Sequence, residues 1–319
     1  MERRRLYLLI SRFASMTMII GLFTYFAIRL PDIWLSSYNL MNLVEQTVSL
    51  GLVALGLTVV RATGEIDLAV GSTVSLSTLI PVGMIIAGRP IGLAIVATLL
   101  VGVCVGLANG FMRTTMRLPG VIPTLCSQSV IAGLAQIYTW GDMLFGTGPG
   151  LRSFVRLGRG RIGSLSIPAT VFGVIVILVW FFLTRTKWGR VLYMIGGNPR
   201  AAESSGIDVN QYVRISFITC GVLSAASGLM MAARIGAGNP VGGADMLLDG
   251  IIAVMVGSTI LAQEQEFSAV GSVVGAFFVT IVMSGLQMIG QGYDMQCLLR
   301  GILLYLSLGF FSLQRRASE

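Results

Sequence analysis

Polar and ionisable side chains inside otherwise apolar stretches are the first candidates for function in this 319-residue chain. Glu45, Asp249 and Arg300 each lie within such a stretch, as do the amides of Asn109 and Gln287. A charged group at such a position costs roughly 2.5–3.5 kcal/mol on insertion scales, so it tends to face the interior of a bundle or a cavity. These five residues are candidates for lining a polar pathway. The same groups can instead lie near an interface or bond neighbouring helices.

The segment 63–72, T-G-E-I-D-L-A-V-G-S, predicts a turn followed by a helix. Gly64 permits a tight turn. The side-chain oxygens of Asp67 and Ser72 can accept hydrogen bonds from free backbone N–H groups at the start of the next helix. A capped turn is the structural interpretation, and a gate or a partner contact is the functional one. The residues singled out here are Gly64, Glu65, Asp67, Gly71 and Ser72.

A third segment predicts a short helix with a defined beginning and end. Asn198 is a suitable N-cap, and Pro199 suits the first helical position. Gly206 can end the helix in the left-handed conformation. A plain connecting loop rarely needs both signals, so this helix is a candidate contact for a partner. It comprises Asn198, Pro199, Arg200, Ala201, Ala202, Glu203, Ser204, Ser205 and Gly206.

Several kinds of chemistry find no support in the sequence. Histidine is absent, which removes imidazole acid–base catalysis and imidazole metal ligation. The four cysteines are isolated, so neither a metal site nor a disulfide framework is indicated. No nucleotide-binding or hydrolase motif is present. The sequence therefore indicates no enzyme, metal or cofactor, and the scattered arginines do not form a nucleic-acid footprint.

The elements that hold these residues must be membrane helices. Hydrophobic residues make up 55% of the chain, charged residues make up 11%, and the mean hydropathy is +0.84. A spanning helix needs about 20 mostly apolar residues. About ten stretches qualify, with eight to ten as the range: 13–30, 43–60, 72–87, 91–112, 121–140, 164–184, 215–233, 246–263, 267–293 and 295–314.

Glycine spacing indicates that these helices pack closely. Gly102, Gly106 and Gly110 share one face of a predicted helix, and Gly271 and Gly275 share another. Small residues let helix backbones approach each other in lipid. The chain is therefore predicted to be a single, dense, all-α transmembrane domain over residues 1–319.

Basic residues predict the orientation. Four arginines precede the first span and two follow the last, which favours a cytoplasmic N-terminal tail (1–12) and C-terminal tail (314–319). The segment 185–210 is then also cytoplasmic. One segment disagrees with this scheme: residues 141–163 should lie outside, yet they carry Arg152, Arg156, Arg159 and Arg161.

Segments 63–72 and 196–208 together give the sequence a family resemblance. The first is similar to the T-G-G-I-D-L-S-V-G-S stretch of permease subunits of bacterial sugar ABC importers of the ribose type. The second, G-G-N-P-R-A-A-E-S-S-G-I-D, resembles the cytoplasmic coupling segment of that family, and Asn109-Gly110 is also in character. The resemblance covers roughly residues 40–310.

The resemblance implies a ten-helix, vitamin-importer-like permease fold in the bacterial inner membrane. It implies three partners: a cytoplasmic ABC ATPase that binds the ATP, a second permease subunit, and a periplasmic solute-binding protein. Asn198 to Ser205 would form the coupling helix, with Arg200 and Glu203 as polar contacts to the ATPase. The solute would be a sugar or a similar small polar molecule, and the surrounding solvent would be lipid.

The sequence departs from the family pattern at Glu65, at Ala69 and in the acidic loop 262–267, which leaves the identity of the solute open. Pairing with itself or with a diverged sister chain also stays open. The alternatives are a branched-chain amino-acid ABC permease and a self-sufficient secondary transporter using Glu45 or Asp249. A membrane-embedded enzyme is a more distant alternative.

Overall fold

A computed structural model describes residues 17, 19–163, 165–260 and 267–316 of the chain. The predicted N-terminal tail 1–12 lies outside these residues, as do loop positions 261–266 and residues 317–319 of the predicted C-terminal tail. The described part is predominantly α-helical, which agrees with the predicted class.

The helices, in chain order, are α1 Ile19–Arg29, α2 Pro31–Trp34, α3 Ser37–Arg61, α4 Val70–Ile86, α5 Ile91–Thr115, α6 Val121–Thr139, α7 Pro149–Arg159, α8 Ile167–Arg185, α9 Lys187–Gly197, α10 Pro199–Ser204, α11 Val209–Ile235, α12 Met246–Ile260, α13 Ala269–Met288 and α14 Tyr293–Arg316. Four two-residue strands, β1 Leu144–Phe145, β2 Arg161–Ile162, β3 Leu165–Ser166 and β4 Ala237–Gly238, form two antiparallel pairs, β1 with β4 and β2 with β3.

Within the described ranges, six helices are long and apolar enough to cross a membrane: α3, α5, α6, α8, α11 and α13. Helices α1, α4 and α12 are shorter apolar helices. Each predicted stretch overlaps one helix. The ends of the helices differ from the predicted ones. Ser268 caps the start of α13, so this helix begins at Ala269, and it ends at Met288, five residues before the predicted 293. Likewise Asp208 caps α11, which begins six residues before the predicted 215.

Helix α11 lies at the centre of the bundle, against α3, α4 and α5. Helices α12 and α13 pack on α3, α14 packs mainly on α12, and α6 packs on α4. The most apolar windows of α5, α6 and α8 are only 22% buried, compared with 83% for α3. Helices α5, α6 and α8 therefore lie at the periphery of the described bundle, and α3 belongs to its core.

The predicted outside segments are more structured than plain loops. Residues 141–163 include α7, whose Gly158 lies directly against the backbone of Ala233 in α11. Residues 236–245 turn back along α4, where the Gly243 N–H donates to the Ser75 hydroxyl at 2.9 Å and the Asn239 N–H donates to the Thr78 hydroxyl at 2.8 Å. This return places the start of α12 beside α4.

The glycine face predicted on α5 forms the contact with α11. A Cβ at Gly102 would overlap the Gly221 carbonyl oxygen, and one at Gly106 would overlap the Phe217 carbonyl oxygen. Gly271 and Gly275 pack in the same way against Gly257 and Ala253 of α12. Backbone-to-backbone contact therefore holds both helix pairs together.

We expect Gly106→Ala to destabilise the bundle by about 1–3 kcal/mol, because the new methyl group must push α5 away from α11. Gly133→Ala on α6 is the matched control, since no atom lies within 4 Å of its Cβ position. The measurement is the thermal unfolding midpoint of the detergent-solubilised chain. Equal midpoints for the two variants would contradict the close α5–α11 contact.

Candidate functional site

A polar cavity of about 200 Å³, here called the central cavity, lies between α3, the end of α11, the 236–245 return, α12, α13 and α14. It contains three of the five predicted pathway residues, Asp249, Gln287 and Arg300. Its other polar lining residues are Gln46, Ser49, Arg234, Asp245 and Thr280. The cavity therefore brings acceptors and donors from six parts of the chain to one place.

Arg300 organises the charges of this cavity. Its Nε lies 2.8 Å from Asp249 Oδ1, and its Nη1 lies 3.1 Å from Asp245 Oδ2. Tyr293 donates its hydroxyl hydrogen to the other oxygen of Asp245 at 3.1 Å. One guanidinium thus ties α14 to α12 and to the return segment, which leaves the trio with a net charge of −1.

The other two predicted pathway residues lie elsewhere. Glu45 lines a neighbouring cavity at the beginning of α3. Asn109 is fully buried, where its Nδ2 donates to Asp67 Oδ1 at 3.4 Å and its Oδ1 accepts from Ser127 Oγ. In this structure Asn109 therefore belongs to the packing between α5, α6 and the 62–69 loop and does not line the central cavity.

The predicted turn is present between α3 and α4. Gly64 has a φ of +84°, and the Ala69 N–H donates to Asp67 Oδ1 at 2.9 Å. Ser72 was expected to share this capping, but it lies inside α4 and donates to the Ala69 carbonyl at 3.0 Å. Glu65 Oε1 pairs with Arg113 Nε at 2.6 Å.

The turn is anchored to the bundle at a further point. Gly71 lies against the Gly243 carbonyl, so a side chain here would separate α4 from the return segment. Burial raises the pKa of the Asp67 carboxyl from 3.8 to about 6, although the hydrogen bond from Ala69 opposes the shift. Burial thus makes the Asp67 carboxyl harder to ionise than it is in water.

The predicted coupling segment, residues 185–210, contains two helices, α9 and α10, where one was predicted. Asn198 Oδ1 accepts the Ala201 N–H at 3.1 Å, and Gly206 follows the helix with a φ of +81°. Ala202 is buried in the main core. The exposed residues of the segment are Asn198, Pro199, Arg200, Ala201, Glu203, Ser204, Ser205 and Gly206. Helix α10 is therefore fixed to the bundle by one small apolar residue and presents a polar surface.

Helix α9 connects this surface to the rest of the molecule. Gly196 packs directly on the Ala62 carbonyl at the end of α3. The Tyr193 hydroxyl donates to the Phe267 carbonyl at 2.6 Å, just before α13. Sequence reasoning missed both contacts because they join residues far apart in the chain.

Sequence reasoning also missed Asp245 and Arg234 as lining residues of the central cavity. A signal existed for Asp245, because it precedes Asp249 by four residues, about one helical turn, directly before α12. No comparable signal marked Arg234, which lies at the end of a long apolar helix.

We expect Arg300→Met to lower the stability by about 3–5 kcal/mol, because it leaves two carboxylates without their counterion. Asp249→Asn should cost less, since Arg300 keeps Asp245 as a partner. Thermal unfolding midpoints in detergent would show this order, with exposed Arg152→Met as the control. Equal effects of the two cavity variants would contradict the shared role of Arg300.

We expect Asp67 to make stability depend on pH. Its folded pKa is above the unfolded value, so the folded chain binds more protons, and stability falls as the pH rises from about 4 to about 6. Asp67→Asn should lose this part of the dependence. Unfolding midpoints between pH 4 and pH 8 would test it, with exposed Asp142→Asn as the control. Parallel curves for the parent chain and Asp67→Asn would contradict it.

Comparison with known proteins identifies the family. Residues 39–308 match the family described as the permease component of the branched-chain amino acid transport system. The ribose import permease protein RbsC of Bacillus subtilis is 33% identical over 86% of this chain and 84% of its own length. RbsC of Escherichia coli K12 is 30% identical, over 84% of each chain.

The xylose transport system permease protein XylH of Escherichia coli K12 is 29% identical over 96% of this chain and 93% of its own. No solved structure matches the chain. Together with its long apolar helices, these similarities make the chain a multi-pass protein of the bacterial inner membrane. The chain therefore belongs to this family of permease components of bacterial ABC importers.

Proposed function

We propose that this chain is the transmembrane subunit of an importer for a sugar, driven by a separate ATPase. The observation that carries the proposal is α10, a capped and exposed helix on a chain similar to ribose and xylose permeases. A permease component is a transport subunit, so no catalytic step is assigned to its residues.

The chemistry of the central cavity supports a polyhydroxylated solute. Sugar hydroxyls donate hydrogen bonds to carboxylates and accept them from amides and guanidinium groups. Asp245, Asp249 and Gln287 supply such groups, and Arg300 holds both carboxylates in place. Asp245 and Gln287 are accessible, so a solute can reach the polar lining.

Two alternatives receive less support. The description of the matching family names branched-chain amino acid transport, but the relatives compared above are ribose and xylose permeases. A self-sufficient secondary transporter would need a carboxylate free to take up and release its ion. Asp249, one of its two candidates, is held by Arg300 at 2.8 Å.

We propose ten membrane crossings, made by α1, α3, α4, α5, α6, α8, α11, α12, α13 and α14, in one domain covering 1–319. An even number leaves both terminal tails, 1–12 and 314–319, on the side of the 185–210 segment. The basic residues of those tails favour the cytoplasmic side. The vitamin-importer-like fold is part of the same proposal.

The proposed assembly has four kinds of component. A cytoplasmic ABC ATPase would bind α10 and supply the energy of ATP, so the permease itself needs no cofactor. A second permease subunit, either a copy or a sister chain, would complete the pathway. A periplasmic solute-binding protein would deliver the sugar to the opposite face.

Movement of α10 would reach the bundle through the contacts of α9. Gly196 meets the end of α3 at Ala62, and Tyr193 meets Phe267 before α13. Both α3 and α13 line the central cavity. The ATPase surface and the polar cavity are thereby connected by packed backbone and one hydrogen bond.

We expect the charge exchange Arg200→Glu with Glu203→Arg to abolish ATP-driven uptake while the chain stays folded. Both side chains are exposed, so their loss costs the bundle little, whereas a charged contact with the ATPase would be reversed. The measurements are uptake and co-purification of an ATPase with the tagged chain. Arg200→Lys keeps the charge and is the matched control.

Deletion of residues 199–205 should remove the ATPase from the purified complex. Normal uptake and normal co-purification of the ATPase with the charge-exchange variant would contradict the proposal. So would a purified chain that transports a sugar into liposomes without ATP.

A further inference from the structure

A second polar cavity, here called the outer cavity, lies at the end of the bundle away from α10. Its volume is about 400 Å³, twice that of the central cavity. It is formed by the start of α3, the end of α7, strand β2 and the end of α11. Its lining residues are Tyr38, Met41, Asn42, Glu45, Arg159, Arg161 and Arg234.

The charges of the outer cavity do not balance. Three guanidinium groups face one carboxylate, and none of the four forms an ion pair within the described ranges. Like charges collected in a partly buried space repel each other, and this repulsion is relieved when an anion binds between them. A net charge of +2 therefore favours an anion over a cation in this cavity.

The three arginines are not equally occupied. Arg159 Nε and Nη2 donate to the carbonyls of Arg234 and Ile235 at 2.6 and 3.1 Å, which holds this side chain in position. Arg234 Nη1 reaches Asn42 Oδ1 at 3.5 Å. Arg161 has no side-chain hydrogen bond to any residue that the structure describes. Its whole guanidinium fork is available, in the geometry that matches carboxylate and phosphate oxygens.

Basic residues near a membrane surface often face only water or lipid headgroups. Arg152 and Arg156, on the same helix as Arg159, are exposed and do not line the outer cavity. Arg159 and Arg161 are exposed as well, but they differ from Arg152 and Arg156 because three separate elements bring them and the half-buried Arg234 to one open cavity. The convergence accounts for two of the four arginines of the 141–163 segment, Arg159 and Arg161.

We propose that the outer cavity binds the carboxylate or phosphate group of a small solute. Arg234 lines both cavities, so an anion held there lies beside the route to Asp245 and Arg300. The volume is within the range of about 300–1,000 Å³ for small-molecule sites. The anion site does not depend on the proposed sugar transport, because its binding is a property of the folded chain alone.

The test measures the binding of inorganic phosphate and of glucuronate to the purified full chain in a neutral detergent. Binding is detected by titration calorimetry and by the shift of the thermal unfolding midpoint. Glucose is the neutral reference. Arg161→Gln should weaken the binding of both anions about tenfold, which corresponds to about 1.4 kcal/mol. Glu45→Gln should strengthen it, since the one repelling carboxylate is removed. Arg152→Gln is the matched control and should change neither.

Two results would overturn the proposal. One is an absence of saturable anion binding, or equal binding in the parent chain, Arg161→Gln and Arg152→Gln. The other concerns lipid, whose headgroup phosphate has the same chemistry. Phosphate binding is therefore compared in nanodiscs of phosphatidylglycerol and of phosphatidylcholine. Loss of phosphate binding in phosphatidylglycerol alone would assign the cavity to lipid. Phosphate binding that is unchanged by phosphatidylglycerol supports a soluble ligand.

Discussion

Close approach of helix backbones is the constraint on which the rest of this structure depends. Lipid tails are as apolar as the side chains of membrane helices, so moving a side chain from lipid to a helix contact yields little hydrophobic free energy. Membrane helices therefore associate through packing and hydrogen bonds. Helix α11 meets this requirement on three sides, with glycines at its contacts with α3, α4 and α5. Gly221 faces Gly102, Gly228 faces the backbone of α4, and Gly56 faces Cys220. The central helix and its neighbours therefore have fixed rotations, and the positions of all polar side chains follow from them.

Fixed rotation explains how so few charges can define two distinct cavities. Arg300 reaches two carboxylates only because α12 and the 236–245 return are held beside α4 by Gly243 and Ser75. Arg234 reaches both cavities because α11 ends beside the start of α3 and the end of α7. Charges that would each be costly alone are placed in pairs or beside water-accessible space. The energetic cost of each group is thus offset by its position.

The same packing separates two ends with different surfaces. At one end, α10 presents Arg200 and Glu203 on a short helix fixed by the buried methyl of Ala202. At the other end, arginines from α7, β2 and α11 converge on the outer cavity. Between them, α3 runs the length of the bundle and contacts α11, α12 and α13. A movement at the α10 end can therefore reach the polar cavities through rigid elements, without a separate domain.

The sequence by itself determined the features that depend on neighbouring residues. Hydropathy and charge established an all-α membrane bundle, and the Asn198, Pro199 and Gly206 signals located α10 because caps act within one helical turn. The turn at Gly64 followed from the same local chemistry, although Ser72 was assigned the wrong hydrogen bond. Only the tertiary structure decided which distant side chains meet. Asp249 and Arg300 are 51 residues apart, and Arg161 and Glu45 lie on different elements. Their meeting depends on the rotation and register of packed helices, to which many weak contacts contribute and which no short segment encodes.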